Sequence, residues 1–491
     1  MKKTILLFLL LLFPSLSQAQ SYTVLNNTAG EFESFLPIYD HQTLYGYVEV
    51  RRMNIDEEKN VTFKYYVLDK NFNTICTGDL VEKQSWPSKR RIVLDAIYAN
   101  GYIQFEFSDR WFVLGSFQSA QNTIPDMFRT YQRVDIKNNK ITHKGIYNDE
   151  IIEVALKYLK KDKLEFNSYS LDESGFLIVQ KVFSGKNKLD NKMYCLNFKN
   201  EKVWEYSNDK ELKSLDQRIN VLDYDKNYVI LSFYRPSIIT FFPEYNIAII
   251  DAKTGKEIFC LTDSKEYTLY REYHYIKGNR LYVGGRFFKK SKKGEYDYKK
   301  FLGVFQQVVD IDKKEVIQDK FIKYQEFKDV NINEFGRIKD ESFLYFKKYS
   351  VNPDGSSLVI ANTNWNKVDS RSYFFLFDKN FNPVKTIKYD FNSSKNHYFG
   401  FTQLLPNNYG RSYFYFDKNS DKEVEVNILN YYYKSQKLTA QKMPLTNKES
   451  SIDIFPAKEG YIGIAEYFKN PEKTGKHMEI RLEKINFERE K

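Results

Sequence analysis

An all-β repeat fold is predicted by three features of this 491-residue chain. Aromatic residues are abundant, with 39 Tyr and 40 Phe, and Ala-rich helical stretches are missing. Such side chains fit the pleated, half-buried surface of a sheet. The pentapeptide Asp-Lys-Asn-Phe-Asn occurs at Asp69–Asn73 and again at Asp378–Asn382, each time between an apolar run and a shorter strand-like run. Weaker copies of this unit recur about every sixty residues, longer than the ~40–50 of familiar propeller repeats. The expectation is a single β-propeller, with eight blades of four antiparallel strands. Seven blades is the alternative, if the first or last unit completes a shared blade.

The hairpin copies centre on Asp69, Asp135, Asn197, Asp251, Asp310 and Asp378. Two degenerate copies follow, at Ile428–Leu438 and Met478–Ile485. Asn, Asp and Gly tolerate the left-handed backbone of tight turns, and Lys keeps such a turn wet. Phe72 and Phe381 are expected to pack on a neighbouring strand. Upstream of each hairpin lies an apolar run, such as Gly101–Phe107, Tyr228–Phe233 and Gly460–Ala465. Many follow a turn, for example Asp172-Glu173-Ser174-Gly175 or Asn352-Pro353-Asp354-Gly355. These runs are read as the apolar inner strands of the blades. No Pro/Gly/Ser-rich linker interrupts the middle, so residues 20–491 are expected to form one domain. The stretch Glu150–Leu159 suits a short helix and a strand equally.

The N-terminus reads as a secretory signal peptide over residues 1–19. Lys2 and Lys3 precede an apolar run from Ile5 to Phe13, and Ser17-Gln18-Ala19 supplies small residues for cleavage between Ala19 and Gln20. That run is too short to span a bilayer, and no later stretch is apolar for long enough. The expected location is outside the cytoplasm, periplasmic or extracellular. The formal net charge of +11 is modest for this length, with Lys interleaved among Asp and Glu. The densest basic run, Lys289–Lys293 continuing to Lys299–Lys300, reads as a solvated loop. Nucleic acid is not an expected partner of an exported chain without a recognition motif.

Few residues carry a chemical signal. His41, His143, His274, His397 and His477 show no metal-ligand spacing. Cys76, Cys195 and Cys260 lie far apart and are odd in number, so they read as small apolar residues, with one bridge between neighbouring repeats as the alternative. G-x-S-x-G, Walker and G-x-G-x-x-G motifs are absent, as is the sialidase box, and no cofactor or metal is implied. Asp and Glu are plentiful but fall mostly in turns. A glycosidase pair would come from distant positions that spacing does not reveal. Trp86, Trp111, Trp204 and Trp365 are suited to blade packing or to stacking on sugars, with Arg110 and Arg371 nearby. Trp204 follows a hairpin turn where packing between blades is expected. Trp111, beside Arg110, is the favoured candidate for a surface-binding aromatic.

At Tyr65-Tyr66-Val67-Leu68-Asp69-Lys70-Asn71-Phe72-Asn73 and at Lys202-Val203-Trp204-Glu205-Tyr206, the chain resembles uncharacterised exported, propeller-like proteins of Bacteroidetes-type bacteria. The resemblance is diffuse and rests on structural motifs, so it implies no catalytic residues. A non-catalytic binding or scaffold module at the cell envelope is the expected function, with its ligand surface on one propeller face and an envelope protein or glycan as partner. The alternative is a carbohydrate-active, glycoside hydrolase-like enzyme using carboxylates in a central funnel. Raised carboxylates clustered at the funnel would favour the enzyme, and an aromatic or basic face would favour binding.

Overall fold

In the computed structural model, the described residues are 21–22, 29–40, 43–84, 89–111, 130–146, 163–183, 189–206, 218–234, 245–261, 264, 266–289, 301–339, 343–363, 371–390, 396–418, 424–443, 445, 451–469 and 476–487. They form a β-propeller of eight four-stranded antiparallel blades. After β1 (Ser21–Tyr22), blade 1 is β2 (Glu31–Asp40), β3 (Thr43–Ile55), β4 (Asn60–Asp69) and β5 (Thr74–Lys83). Blade 2 is β6 (Lys89–Ala99), β7 (Tyr102–Trp111), β8 (Thr130–Asp135) and β9 (Lys140–Ile146). Blade 3 is β10 (Lys163–Ser170), β11 (Phe176–Phe183), β12 (Leu189–Leu196) and β13 (Lys202–Tyr206). Blade 4 is β14 (Arg218–Tyr224), β15 (Tyr228–Tyr234), β16 (Tyr245–Asp251) and β17 (Glu257–Leu261). Blade 5 is β18 (Tyr267–Lys277), β19 (Arg280–Lys289), β20 (Gly303–Asp310) and β21 (Glu315–Lys323). Blade 6 is β22 (Tyr345–Val351), β23 (Ser357–Asn362), β24 (Arg371–Phe377) and β25 (Pro383–Asp390). Blade 7 is β26 (Asn396–Leu404), β27 (Gly410–Lys418), β28 (Val424–Tyr432) and β29 (Lys437–Lys442). Blade 8 is β30 (Ser451–Pro456), β31 (Tyr461–Lys469) and β32 (Lys476–Lys484), completed by β1.

Two expectations are corrected. The degenerate eighth hairpin at Met478–Ile485 is one strand, β32, and its outer partner comes from the other end of the chain. The alternation Glu479-Arg481-Glu483 imitates a polar turn in sequence. Its physical basis is an ion-pair cluster, with Arg481 held by buried Glu466 at 2.8 Å and by Glu483 at 3.5 Å. The apolar runs are also not the innermost strands. Each is the second strand of its blade, hydrogen-bonded on both sides. Strands such as β11, β15 and β23 are therefore buried along most of their described length. The first strands are more polar. In the larger of two compact units (Gly30–Leu68, Thr74–His397) they pack on one another, β2 on β6, β6 on β10, β14 on β18 and β18 on β22. That unit holds blades 1 to 6. The smaller unit (Met1–Ala29, Asp69–Asn73, Tyr398–Lys491) holds blades 7 and 8. The stretch Glu150–Leu159 and the basic run from Lys290 onward lie outside the described residues.

The duplicated pentapeptide is a side-chain-capped turn. Asp378 Oδ1 accepts from the backbone N–H groups of Asn380 at 2.9 Å and Asn382 at 2.8 Å, and its Oδ2 accepts from the Asn382 amide at 3.0 Å. The backbone closes Asp378 N–H to Asn382 O and Phe381 N–H to Asp378 O. Phe381 is thereby driven to φ 58, and the ladder shifts register at Leu376/Phe377. Asp69–Asn73 repeats each of these bonds, with Phe72 at φ 68. Asn197 makes the same two backbone contacts through its amide oxygen, with Asn200 at φ 67. A bulky residue in the left-handed region is strained. The offset here is burial. Phe381 is fully buried, stacked 4.4 Å from Phe377.

A left-handed asparagine of the turn also locks neighbouring blades. Tyr65 lies over Gly78, its cross-strand partner, and donates its hydroxyl to Asn139 of the blade 2 turn at 2.9 Å. Tyr131 lies over Gly145 and donates to Asn200 of the blade 3 turn at 2.7 Å. A Cβ at Gly78 would sit 2.6 Å from the Tyr65 hydroxyl, so only glycine leaves room for the ring. In blade 3 the tyrosine moves to the outer strand, and Tyr206 donates to Glu257 of blade 4 at 3.0 Å. Trp204 fills the same seam and donates Nε1–H to Ala252 O at 3.0 Å, the inter-blade packing expected of it.

Two outcomes follow for urea unfolding. Phe381→Ala is expected to cost about 3–5 kcal/mol, because a fully buried ring is lost and nothing relieves the turn; a loss below ~1 kcal/mol would remove the ring from the core. Tyr131→Phe is expected to cost about 1 kcal/mol, the net worth of one hydrogen bond. An unchanged midpoint would show that the Tyr131–Asn200 bond does not hold the seam.

Candidate functional site

In a four-stranded meander, the first–second and third–fourth turns share one end of the blade. That end of the larger unit gathers aromatic pairs at its seams. Tyr45 stacks on Tyr98 at 4.0 Å between blades 1 and 2. Tyr102 stacks on Phe198 at 4.7 Å between blades 2 and 3. Tyr169 meets Tyr224 edge-on at 5.2 Å between blades 3 and 4. Tyr273 stacks on Tyr349 at 4.7 Å between blades 5 and 6, with Tyr275 6.3 Å from Tyr273. Apart from buried Tyr98, these residues are half-buried. Rings of this kind contribute area and a polar tip at little entropic cost. The sequence signal was weak, since the partners of each pair lie on different repeats.

The innermost strands carry the ionisable groups. Bulges interrupt β2 at Phe32/Ser34, β6 at Val93/Asp95, β14 at Val221/Asp223 and β18 at Arg271/Tyr273. A bulge re-aims the side chains beside it. The residues concerned include Glu33, Asp95, Asp223 and Glu272. Glu33 is held by Arg90 at 2.7 Å, and Arg90 also reaches Glu31 at 3.0 Å. Burial raises the Glu33 carboxyl above its usual range, against the pull of Arg90. Glu272 takes the Arg286 guanidinium in a two-pronged grip at 2.7 and 2.8 Å, and Phe301 lies 4.0 Å beneath that guanidinium. Burial raises Glu272 as well, again opposed by its arginine. Asp223 has no such arginine. Its Oδ1 accepts Tyr224 N–H at 2.9 Å, and its Oδ2 accepts Ile276 N–H of the next blade at 2.7 Å. Burial, opposed by these two donors, pushes Asp223 up to about 6. Each of these carboxylates is thus engaged by a different partner.

A second polar network is sealed inside the seam between blades 1 and 2. Glu82 of β5 accepts from Arg91 at 3.0 Å, from Gln132 at 2.6 Å and from Thr130 at 2.5 Å. Arg91 and Gln132 are fully buried. Such a charge is tolerable in the interior because its partners are in place, and its role is structural. Arg133 is equally buried and donates to Asn197 O and Phe198 O of the blade 3 turn at 3.1 and 3.0 Å.

The residues singled out from sequence fare unevenly. Arg110 and Trp111 end β7, opposite Arg90 and Lys89 of β6, and their side chains lie outside the described residues. Ala19, Gln20, Trp86 and Trp365 also lie outside them. Arg371 is paired with Asp390 at 2.6 Å. Cys195 is buried, whereas Cys76 and Cys260 are half-buried, and no disulfide joins them. Burial pushes the Cys195 thiol up to about 12, which makes it unreactive. His274 is held neutral, lowered to about 3 by burial and by Arg271 beside it. Among the described residues, no three His, Cys, Asp or Glu side chains converge as a metal site, and no helix is long and apolar enough to cross a membrane.

The architecture and seams define a β-propeller. A family of unknown function, DUF6770, matches residues 379–486, from the capped turn of blade 6 to the end of blade 8. The segments Tyr65–Asn73 and Lys202–Tyr206 lie outside that match. No curated protein matches the chain by sequence. Similar solved structures include the β-propeller domain of the trilobed protease from Pyrococcus furiosus, 11% identical, with TM-score 0.37, over 86% of this chain and 99% of that one. An ulvan lyase of polysaccharide lyase family 25 is 9% identical, with TM-score 0.40, over 79% and 91%. The exotype rhamnogalacturonan lyase YesX is 11% identical, with TM-score 0.39, over 93% and 72%. No chemistry is carried over from these proteins.

Asp223 sets a pH test. Unfolded aspartate titrates near ~3.9. A carboxyl raised above that value contributes most to stability at acid pH and progressively less as pH rises through its folded value. The stability of the wild type relative to Asp223→Asn is therefore expected to fall between pH 4 and 6 and to level off above 7, by urea unfolding at each pH. A difference independent of pH would contradict the raised carboxyl.

Proposed function

We propose that the protein is an exported, non-catalytic binding or scaffold module of the cell envelope. Its ligand surface is the turn end of blades 1 to 6. The observation that carries this reading is the set of aromatic pairs Tyr45–Tyr98, Tyr102–Phe198, Tyr169–Tyr224 and Tyr273–Tyr349, half-buried except at Tyr98, at four seams of one end. Partly exposed tyrosines offer flat apolar faces to sugar C–H groups or to an envelope protein, and their hydroxyls set orientation. The acids on the inner strands are committed to Arg90, Arg286 or backbone N–H groups, which leaves them poorly placed for proton transfer.

A second reading is favoured by one observation. Asp223 lies on an inner strand with its carboxyl pushed up to about 6, a value suited to a general acid. In a carbohydrate-active enzyme it would protonate a leaving oxygen, with a second carboxylate completing the pair.

A glycan array combined with a broad glycoside hydrolase screen separates the two. Binding without turnover, weakened about tenfold or more by Tyr275→Ala or Tyr45→Ala, supports the module. Turnover of any glycoside that Asp223→Asn abolishes would establish the enzyme instead.

A further inference from the structure

The turn between β6 and β7 is made by Asn100 and Gly101, with Ala99 paired to Tyr102 across it. Both turn residues are left-handed, Asn100 at φ 43 and Gly101 at φ 83. This is the two-residue turn for which Asn-Gly is a preferred sequence. It is also the one place in the 491-residue chain where asparagine precedes glycine. Asn100 is exposed, and a Cβ placed on Gly101 would meet nothing within 4 Å. The strands on either side carry rings of two seams. Tyr98 stacks on Tyr45 at 4.0 Å, and Tyr102 stacks on Phe198 at 4.7 Å. The Gly101 carbonyl accepts Ile136 N–H at 3.0 Å, which ties the turn to the residue after β8.

We propose that Asn100-Gly101 is a self-modification site, where conversion to isoaspartate loosens the hairpin that carries Tyr98 and Tyr102. The Gly101 nitrogen gives up its proton and bonds to Asn100 Cγ. The bond from Cγ to the side-chain amide nitrogen breaks, and that nitrogen leaves with the proton as ammonia. Water then opens the five-membered imide at either carbonyl, giving aspartate or isoaspartate at position 100. Opening at the former main-chain carbonyl routes the backbone through Cβ and Cγ and lengthens it by one carbon. Glycine favours the attack because its nitrogen has no neighbouring Cβ to block it and its backbone turns freely. The turn must open briefly for the nitrogen to reach Cγ, and the exposed tip of a hairpin opens at little cost. A two-residue turn cannot absorb a longer backbone without changing the pairing beside it, because loop length fixes hairpin register.

The test is peptide mapping by mass spectrometry of the full chain held at mildly alkaline pH, folded and in urea, beside Asn100→Gln and Asn100→Asp chains. Asn100 of the folded chain is expected to convert about tenfold or more faster than an asparagine followed by another residue, such as Asn167, since glycine alone leaves the nitrogen open. Asn100→Gln, which cannot form the five-membered ring, should keep its amide. Hydrogen exchange over Ala96–Phe105 should be about tenfold faster in the isoaspartyl fraction, the worth of one or two net hydrogen bonds. It should be unchanged in Asn100→Asp, which adds the charge and keeps the ordinary backbone. Conversion no faster than at other asparagines, or conversion in urea alone, would overturn the site. Conversion with unchanged exchange would overturn the loosening of the hairpin.

Discussion

The structure depends on one local interaction, an Asp or Asn side chain that accepts the backbone N–H groups two and four residues ahead. At Asp69, Asn197 and Asp378 this contact closes the outer hairpin, forces the fourth residue into the left-handed region and shifts the strand register by a bulge. The geometry is local, but its consequence is not. Phe381 stacks on Phe377 within its own blade, whereas Asn200, the fourth residue of its turn, and Asn139, the fifth from Asp135, receive the hydroxyl of a tyrosine from the preceding blade. Turn and seam are thus made by the same few residues. The strain of a left-handed Phe381 is offset by its burial, and that of Asn200 by its bond across the seam.

The same economy governs charge. Blade faces meet other blades, so a polar residue on them must find its partners at once. Glu82, Arg91 and Gln132 do so within one seam, and Arg133 caps the backbone of the next turn. A wholly apolar seam would be no less stable, and in principle more so. What the polar seam adds is selectivity. Arg133 matches the turn whose carbonyls stand at Asn197 and Phe198, which favours the correct neighbour in a chain of similar repeats. The repeated Tyr–Gly–Asn lock acts in the same direction, because a side chain on the cross-strand partner would crowd the tyrosine ring.

Much of this architecture was legible in the sequence because the capped turn is read over five residues and recurs. The blade count followed from the repeats, as did the packing roles of Phe381 and Trp204. The seams were not legible in the same way. Tyr65 and Asn139 are 74 residues apart, and only a tyrosine four residues before the turn Asp, with a glycine on the returning strand, marks the lock. The eighth hairpin misled because Arg481 among its glutamates imitates a turn, while the true partner of β32 is a two-residue strand with no pattern of its own. The inner strands misled differently. Their bulges place Glu33, Asp223 and Glu272 out of the alternation on which a strand reading relies.

A bulge on the innermost strand costs ladder hydrogen bonds, and here a carboxylate restores part of the loss. Asp223 accepts the N–H of Tyr224 beside the bulge and also ties blade 4 to blade 5 through Ile276. Asp95 repeats the first of these contacts with Ala96 at 2.8 Å. An acid with two backbone donors and a structural duty differs from one held ready for a substrate, even when burial lifts both into the same range. The tyrosines at the turn end differ again. Tyr45, Tyr102 and Tyr273 join neighbouring blades by ring stacking and are half-buried. Side chains already ordered by a seam lose little freedom on meeting a ligand. This is the physical reason for placing recognition on the aromatic end of the blades rather than among the inner acids.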